Sequence, residues 1–240
     1  MSAEVREEWS EEKHNEYVEN CLQAYTNACE HFGYENPLET FKKLEIPKEI
    51  PEETLKWYTD FHKYCEDKYF LYSSGTIRDE MISLSSFVVI DQILAKSLAE
   101  YIGNRKVLEI MSGIGCLAKA LSDQGVTIHP TDIFEDTYCF NGYQNTFMDV
   151  EQMDCVEAIE KYGKDYDILL CSWPRSESPI IEALLAMRRI NPNMVMLYIG
   201  EDYEGCCAPN EFFDLAEWIE RVHARLKNWE GMHDQIYLFK

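Results

Sequence analysis

The sequence predicts an α/β fold: a doubly wound, mostly parallel sheet with helices on both faces, preceded by a helical extension. Two observations predict it. From residue 106 onward, short apolar runs alternate with amphipathic stretches, the pattern of successive strand–helix units. Up to about residue 100 the chain instead reads as helical and acidic, with apolar residues at helical spacing. Its 240 residues, 46% hydrophobic and 13% aromatic, suffice for one α/β domain with such an extension and for a sizeable core. The boundary falls between residues 74 and 75, with 1–74 as the helical extension and 75–240 as the α/β domain.

In the extension, Trp9, Tyr17, Cys21, Leu22, Tyr25 and Cys29 share one face of a helix that breaks at Gly33 to Pro37. Pro51-Glu52-Glu53 is a helix start. The helix after it would carry Leu55, Trp57, Tyr58, Phe61, Tyr64 and Cys65, with its aromatics in the core. Residues 69–76, aromatic and then polar, read as a loop. It leads into a helix of Ile90, Ile93, Leu94, Leu98 and Tyr101 that ends at Gly103.

The second half opens with a strand over 106–110, a glycine-containing turn, and a helix carrying Leu117, Ala118, Ala120 and Leu121. A second strand runs over 126–132 and ends on an acid. A short strand at 146–148 and a helix at 156–162 follow. Strands are then expected at 167–171 and 194–200, with a helix over 180–188 between them. A helix over 211–222 and a strand over 234–239 complete the chain. Ligands of such sheets bind beyond the carboxyl ends of the strands, and every motif below sits at such an end.

Charge and cysteines narrow the function. The formal net charge is −22, which repels phosphate at long range and disfavours nucleic acid as a partner. A small molecule, a cationic substrate or a basic protein suits it better. Nine cysteines, an odd number without a CxxC pair, fit reduced thiols in the cytoplasm or nucleus better than a disulfide framework. No zinc-ligand spacing occurs, so no metal is expected. The longest apolar runs are too short to span a bilayer, and no basic-then-apolar leader opens the sequence.

The strongest motif is Val107-Leu108-Glu109-Ile110-Met111-Ser112-Gly113-Ile114-Gly115-Cys116, between a strand and a helix. Glycines there let the backbone turn tightly and approach a ligand closely. Gly113, Gly115 and Ala118, with Asp132 about 20 residues on, meet the dinucleotide fingerprint, so a nicotinamide- or flavin-dependent oxidoreductase is one reading.

The same segment resembles the first motif of class I S-adenosylmethionine-dependent methyltransferases, an acid followed by alternating glycines, which implies a Rossmann-like fold with seven strands, the last antiparallel. Glu109, Gly113 and Gly115 match it, and Met111 stands where the family places its first glycine. The resemblance covers residues 75–240 and is strongest over 106–175. It implies S-adenosylmethionine as cofactor, with Asp132 and the adjoining Ile133 at the ribose. Asp154 and Cys155 resemble the segment that meets adenine, although Asp154 would also serve as a helix cap. Cys171-Ser172-Trp173-Pro174 stands where amino methyltransferases hold their acceptor. Cys171 is then a cofactor contact, and Ser172 and Trp173 are candidate catalytic residues lining the acceptor pocket. Glu201, first of three carboxylates after the fifth strand, is the candidate base. Residues 69–76 occupy the family's lid position, with Tyr72 and Arg78 as contacts. A third reading is a non-catalytic domain that keeps the fold as a partner-binding scaffold.

Overall fold

The computed structural model describes residues 10–68, 74–135 and 145–240, with side chains described except at 66–68 and 74. The extension begins with α1 (Glu11–Phe32). Ser10 Oγ caps its start, accepting from Lys13 N–H, and left-handed Gly33 ends it. Next come α2 (Pro37–Phe41), α3 (Asp60–Lys68), α4 (Ser74–Leu84) and α5 (Gln92–Ile102). The sheet contains β1 (Val107–Ile110), β2 (Ile128–Asp132), β3 (Glu151–Gln152), β4 (Ile168–Ser172), β5 (Val195–Gly200), β6 (Trp218–Arg221) and β7 (Gln235–Phe239). Between these strands run α6 (Cys116–Asp123), α7 (Cys155–Tyr162), α8 (Ile180–Ile190) and α9 (Asn210–Leu215).

The sheet order is β3-β2-β1-β4-β5-β7-β6. The first five of these strands are parallel, and β7 pairs antiparallel with both β5 and β6. Alternation along each strand feeds two cores. Val107, Ile168, Leu170, Leu197 and Ile199 pack with the extension, α5 and α6. Leu108, Ile110, Leu169, Cys171, Met196 and Tyr198 pack with α7, α8 and α9 on the other face. Helices α1, α2 and α4 therefore share one continuous core with the sheet.

Four local expectations are corrected. The helix foreseen from residue 51 is a single 3₁₀ turn (Glu52–Thr54), and α3 starts only at Asp60. Trp57 and Tyr58 thus precede the helix and are 50% and 93% exposed, while Phe61 and Cys65 are buried as expected. The end of the foreseen loop is helix: α4 starts at Ser74, and Ile77 and Met81 bury one face of it. Residues 69–73, and Tyr72 with them, lie outside the described residues.

The third correction concerns the sheet edge. The helix foreseen over 211–222 ends at Leu215, and Ala216 turns extended. Glu217 then exchanges both backbone hydrogen bonds with Lys240, which starts β6. This supplies the seventh strand, of which the sequence pattern located only six. The short strand of the third position lies at 151–152 rather than 146–148, paired with Thr131 and Asp132.

Candidate functional site

A cavity of about 480 Å³ opens at the carboxyl ends of β1, β2 and β4, where ligands of doubly wound sheets bind. Its floor is the turn from β1 to α6. Met111, Gly113 and Gly115 all have left-handed backbones there, with φ of +53°, +57° and +74°. Glycine adopts this freely, whereas Met111 does so under strain. A Cβ on Gly113 would meet nothing within 4 Å, so the backbone faces open space. A Cβ on Gly115 would stand 2.8 Å from Val150 Cγ2. Gly115→Ala is therefore expected to cost about 1–3 kcal/mol in denaturant unfolding through clash and strain together; an unchanged midpoint would contradict the tight turn.

Asp132 locks this turn to the end of β2. Its Oδ2 accepts from Gly113 N–H at 2.8 Å, and its Oδ1 accepts from Phe134 N–H at 2.7 Å. Beside it, the half-exposed Ile133 and Met153 give the cavity an apolar flank. Asp154 caps α7, accepting from Val156 and Glu157 N–H, and also lines the cavity with Cys155. The capping role and the cavity position are thus both present.

Glu109 sits behind the turn, 1% exposed, and its Oε2 has no hydrogen-bond partner among the described residues. Burial, with the Asp132 charge adding to it, pushes its carboxyl from 4.5 up to about 8. The native protein thus keeps this proton between those values while the unfolded chain releases it. The stabilisation is full below about pH 4.5 and drains as the pH rises to about 8. Glu109→Gln cannot ionise. Without ligand it is expected to melt above the parent protein at about pH 8.5 and to converge with it near pH 5. A melting difference independent of pH would contradict this.

The opposite wall is Ser172, Trp173, Pro174 and Arg175 from the end of β4, facing Ile82, Ser86 and Phe87. Trp173 stacks on Phe87, with centroids 4.8 Å apart and planes 2° from parallel. Three hydroxyl oxygens on the lining, those of Ser112, Ser172 and Ser178, are buried without a partner among the described residues, as is Glu109 Oε2. Buried polar atoms of this kind are rare unless something else satisfies them.

The cavity gathers Glu109, Met111, Gly113, Asp132, Ile133, Asp154, Cys155, Ser172 and Trp173, with Gly115 shaping the turn beneath. Three expected residues are not brought to it. Cys171 is fully buried on the α7–α8 side of the sheet, because strand alternation turns it away. Glu201 does not line the cavity but ties its own loop. Its Oε2 accepts from Cys206 N–H at 3.0 Å, and its Oε1 accepts from His233 N–H at 3.0 Å. Burial raises the Glu201 carboxyl, but the Cys206 thiol, which also donates to Oε2, outweighs it together with those two N–H donors and leaves the group below its ordinary value, as suits a held carboxylate. Arg78 is likewise absent from the lining; Ile82, Ser85, Ser86 and Phe87 of the segment that follows line it instead. Phe87 went unnoticed because Phe87-Val88-Val89-Ile90 reads as an ordinary apolar run.

No family model matches the sequence, and no curated protein matches it. Among solved structures the chain is similar to magnesium protoporphyrin IX methyltransferase from Synechocystis PCC 6803 with bound SAM. The identity is 14%, covering 62% of this chain and 78% of that one, at a TM-score of 0.38. It is also similar to a TehB-like SAM-dependent methyltransferase from Corynebacterium glutamicum, with 17% identity, 61% and 86% coverage and a TM-score of 0.42. A mutant of MtNAS in complex with S-adenosylmethionine shares 12% identity, with 94% and 74% coverage and a TM-score of 0.44. The fold is Rossmann-like: a seven-stranded, mostly parallel sheet with helices on both faces and a helical extension ahead of it.

Proposed function

We propose that the chain is an S-adenosylmethionine-dependent methyltransferase acting on a small molecule or a protein. One observation carries this reading. A buried acid, Glu109, one oxygen of which has no hydrogen-bond partner among the described residues, lies against a left-handed glycine turn and the Asp132 carboxylate in a single cavity.

The residues present fit that cofactor. Asp132 would hold the ribose hydroxyls. Ile133 and Met153 would flank the adenine, with Asp154 and Cys155 at its edge. Glu109 and Ser112 would meet the amino-acid end. The lining also carries Glu135 and Glu177, and its one cation among the described residues, Arg175, is paired with Glu177. Such a wall suits a cationic ligand. It opposes the two phosphate charges that a dinucleotide would bring to this turn, which weighs against the oxidoreductase reading.

S-adenosylmethionine supplies a methyl group on a sulfonium, open to in-line displacement. The chain's task is then to position the acceptor and to exclude water. Ser172 and Trp173 form the acceptor side, and Ile82 to Phe87 close over it. Residues 75–240 make up the binding domain in this reading, and 1–74 the extension that supports its cover. The charge of −22 disfavours nucleic acid as acceptor. No helix among the described residues is long and apolar enough to cross a membrane; the thiol-rich composition favours the cytoplasm or nucleus.

The test is transfer of label from methyl-labelled S-adenosylmethionine to a metabolite extract and, separately, to a protein extract. Label in either fraction, dependent on Asp132, supports the reading. Tight cofactor binding with no transfer to either would favour the scaffold.

A further inference from the structure

The Trp173 indole is held from several directions. Its backbone N–H donates to Ile199 O at 2.7 Å. Its ring stacks on Phe87. Its Nε1–H donates to Asp234 Oδ1 at 2.6 Å. The backbone at Trp173 is left-handed, with φ of +53°, and an aromatic residue keeps that conformation only where its surroundings impose it. Asp234, just ahead of β7, is 4% exposed, and its carbonyl accepts from Asn228 Nδ2 at 3.1 Å. A buried carboxylate whose partner lines the cavity is a device for aiming that partner.

We propose that Asp234 is a positioning residue: its carboxylate fixes the Trp173 indole against Phe87 and so orders the aromatic wall of the cavity. The wall's role toward a methyl acceptor rests on the methyltransferase reading. The dependence of the indole on Asp234 does not.

The charged groups facing Asp234 set when the wall loosens. Burial pushes its carboxyl up to about 6; the Trp173 donor lowers it, Glu201 raises it, and Arg78 and His233 lower it. These groups come from the turn after β4, from the loop after β5, from α4 and from the residue before Asp234 itself. As the pH falls through this value, the charge-assisted bond to Nε1–H becomes a weaker neutral one.

The test uses the full chain and isolates the Trp173 emission as the difference between the parent and Trp173→Phe. This component is expected to be shielded from acrylamide at about pH 7.5 and to become quenchable with a midpoint near 6. Asp234→Asn keeps the shape but not the charge. It should show no midpoint between about pH 5 and pH 8, with unchanged circular dichroism. His233→Gln should still show a midpoint, moved slightly upward by the loss of the His233 charge, which separates Asp234 from the neighbouring imidazole. A parent-like midpoint in Asp234→Asn, or equal shielding of the parent indole at both ends of the range, overturns the proposal. The same samples are titrated with S-adenosylhomocysteine. If the parent fails to bind it, the methyltransferase reading falls while the indole titration still decides the role of Asp234.

Discussion

Asp132→Ala is expected to abolish cofactor binding while leaving the chain folded. The Asp132 carboxylate does two things at once. It holds the glycine turn through Gly113 N–H and the following loop through Phe134 N–H. In the proposed complex it also grips the ribose diol. Hydrogen bonds to a charged group contribute about 1.5–3 kcal/mol each. Losing the ribose contacts alone is then about 3 kcal/mol or more, roughly a hundredfold in Kd. Loosening of the turn adds to this. Calorimetric titration of the variant with S-adenosylhomocysteine measures it, and a Kd close to that of the parent would remove Asp132 from the site.

A second large effect is expected far from the cavity. Asp91 is 1% exposed and serves three elements. Its Oδ1 caps α5 through Leu94 N–H at 2.8 Å. Its Oδ2 accepts from Ile50 N–H at 3.1 Å and from Lys227 Nζ at 3.0 Å. Lys227 also donates to Ile50 O at 2.8 Å and pairs with Glu49. The extension, α5 and the segment before β7 thus meet on one carboxylate. Asp91→Ala leaves the mostly buried Lys227 ammonium with only the exposed Glu49 and the Ile50 carbonyl, which costs about 2–3 kcal/mol, and removes a helix cap, about 1 kcal/mol more. For a chain of this size the melting temperature should fall by on the order of 10 °C. Asp91→Asn keeps the cap and should recover part of the loss. A shift of less than about 2 °C in Asp91→Ala would show that the buried pair is dispensable.

The sheet and the cavity floor were legible in the sequence because their signals are local. Strands buried on both faces read as apolar runs, and Glu109, Gly113, Gly115 and Asp132 lie at strand ends where periodicity breaks. What escaped was set by long-range contacts. Trp218 to Arg221 carries a helical-looking pattern, yet Glu217 pairs with Lys240 across the sheet edge and makes it a strand. Glu201 had the right chemistry at the right strand end. Only the fold shows that Cys206 and His233 already occupy its oxygens. Cys171 follows the same logic: it is next to the cavity in sequence, but the two-residue period of the strand points it into the other core. Phe87 and Asp234 carry no motif, and they matter because the fold brings both to Trp173, from 86 residues before it and 61 after it.

The most direct test is calorimetric titration of the purified chain with S-adenosylmethionine, S-adenosylhomocysteine and NADH in turn. The account predicts saturable binding of the first two at one site per chain and none of the third. Binding of NADH alone would contradict it and return the glycine turn and Asp132 to an oxidoreductase.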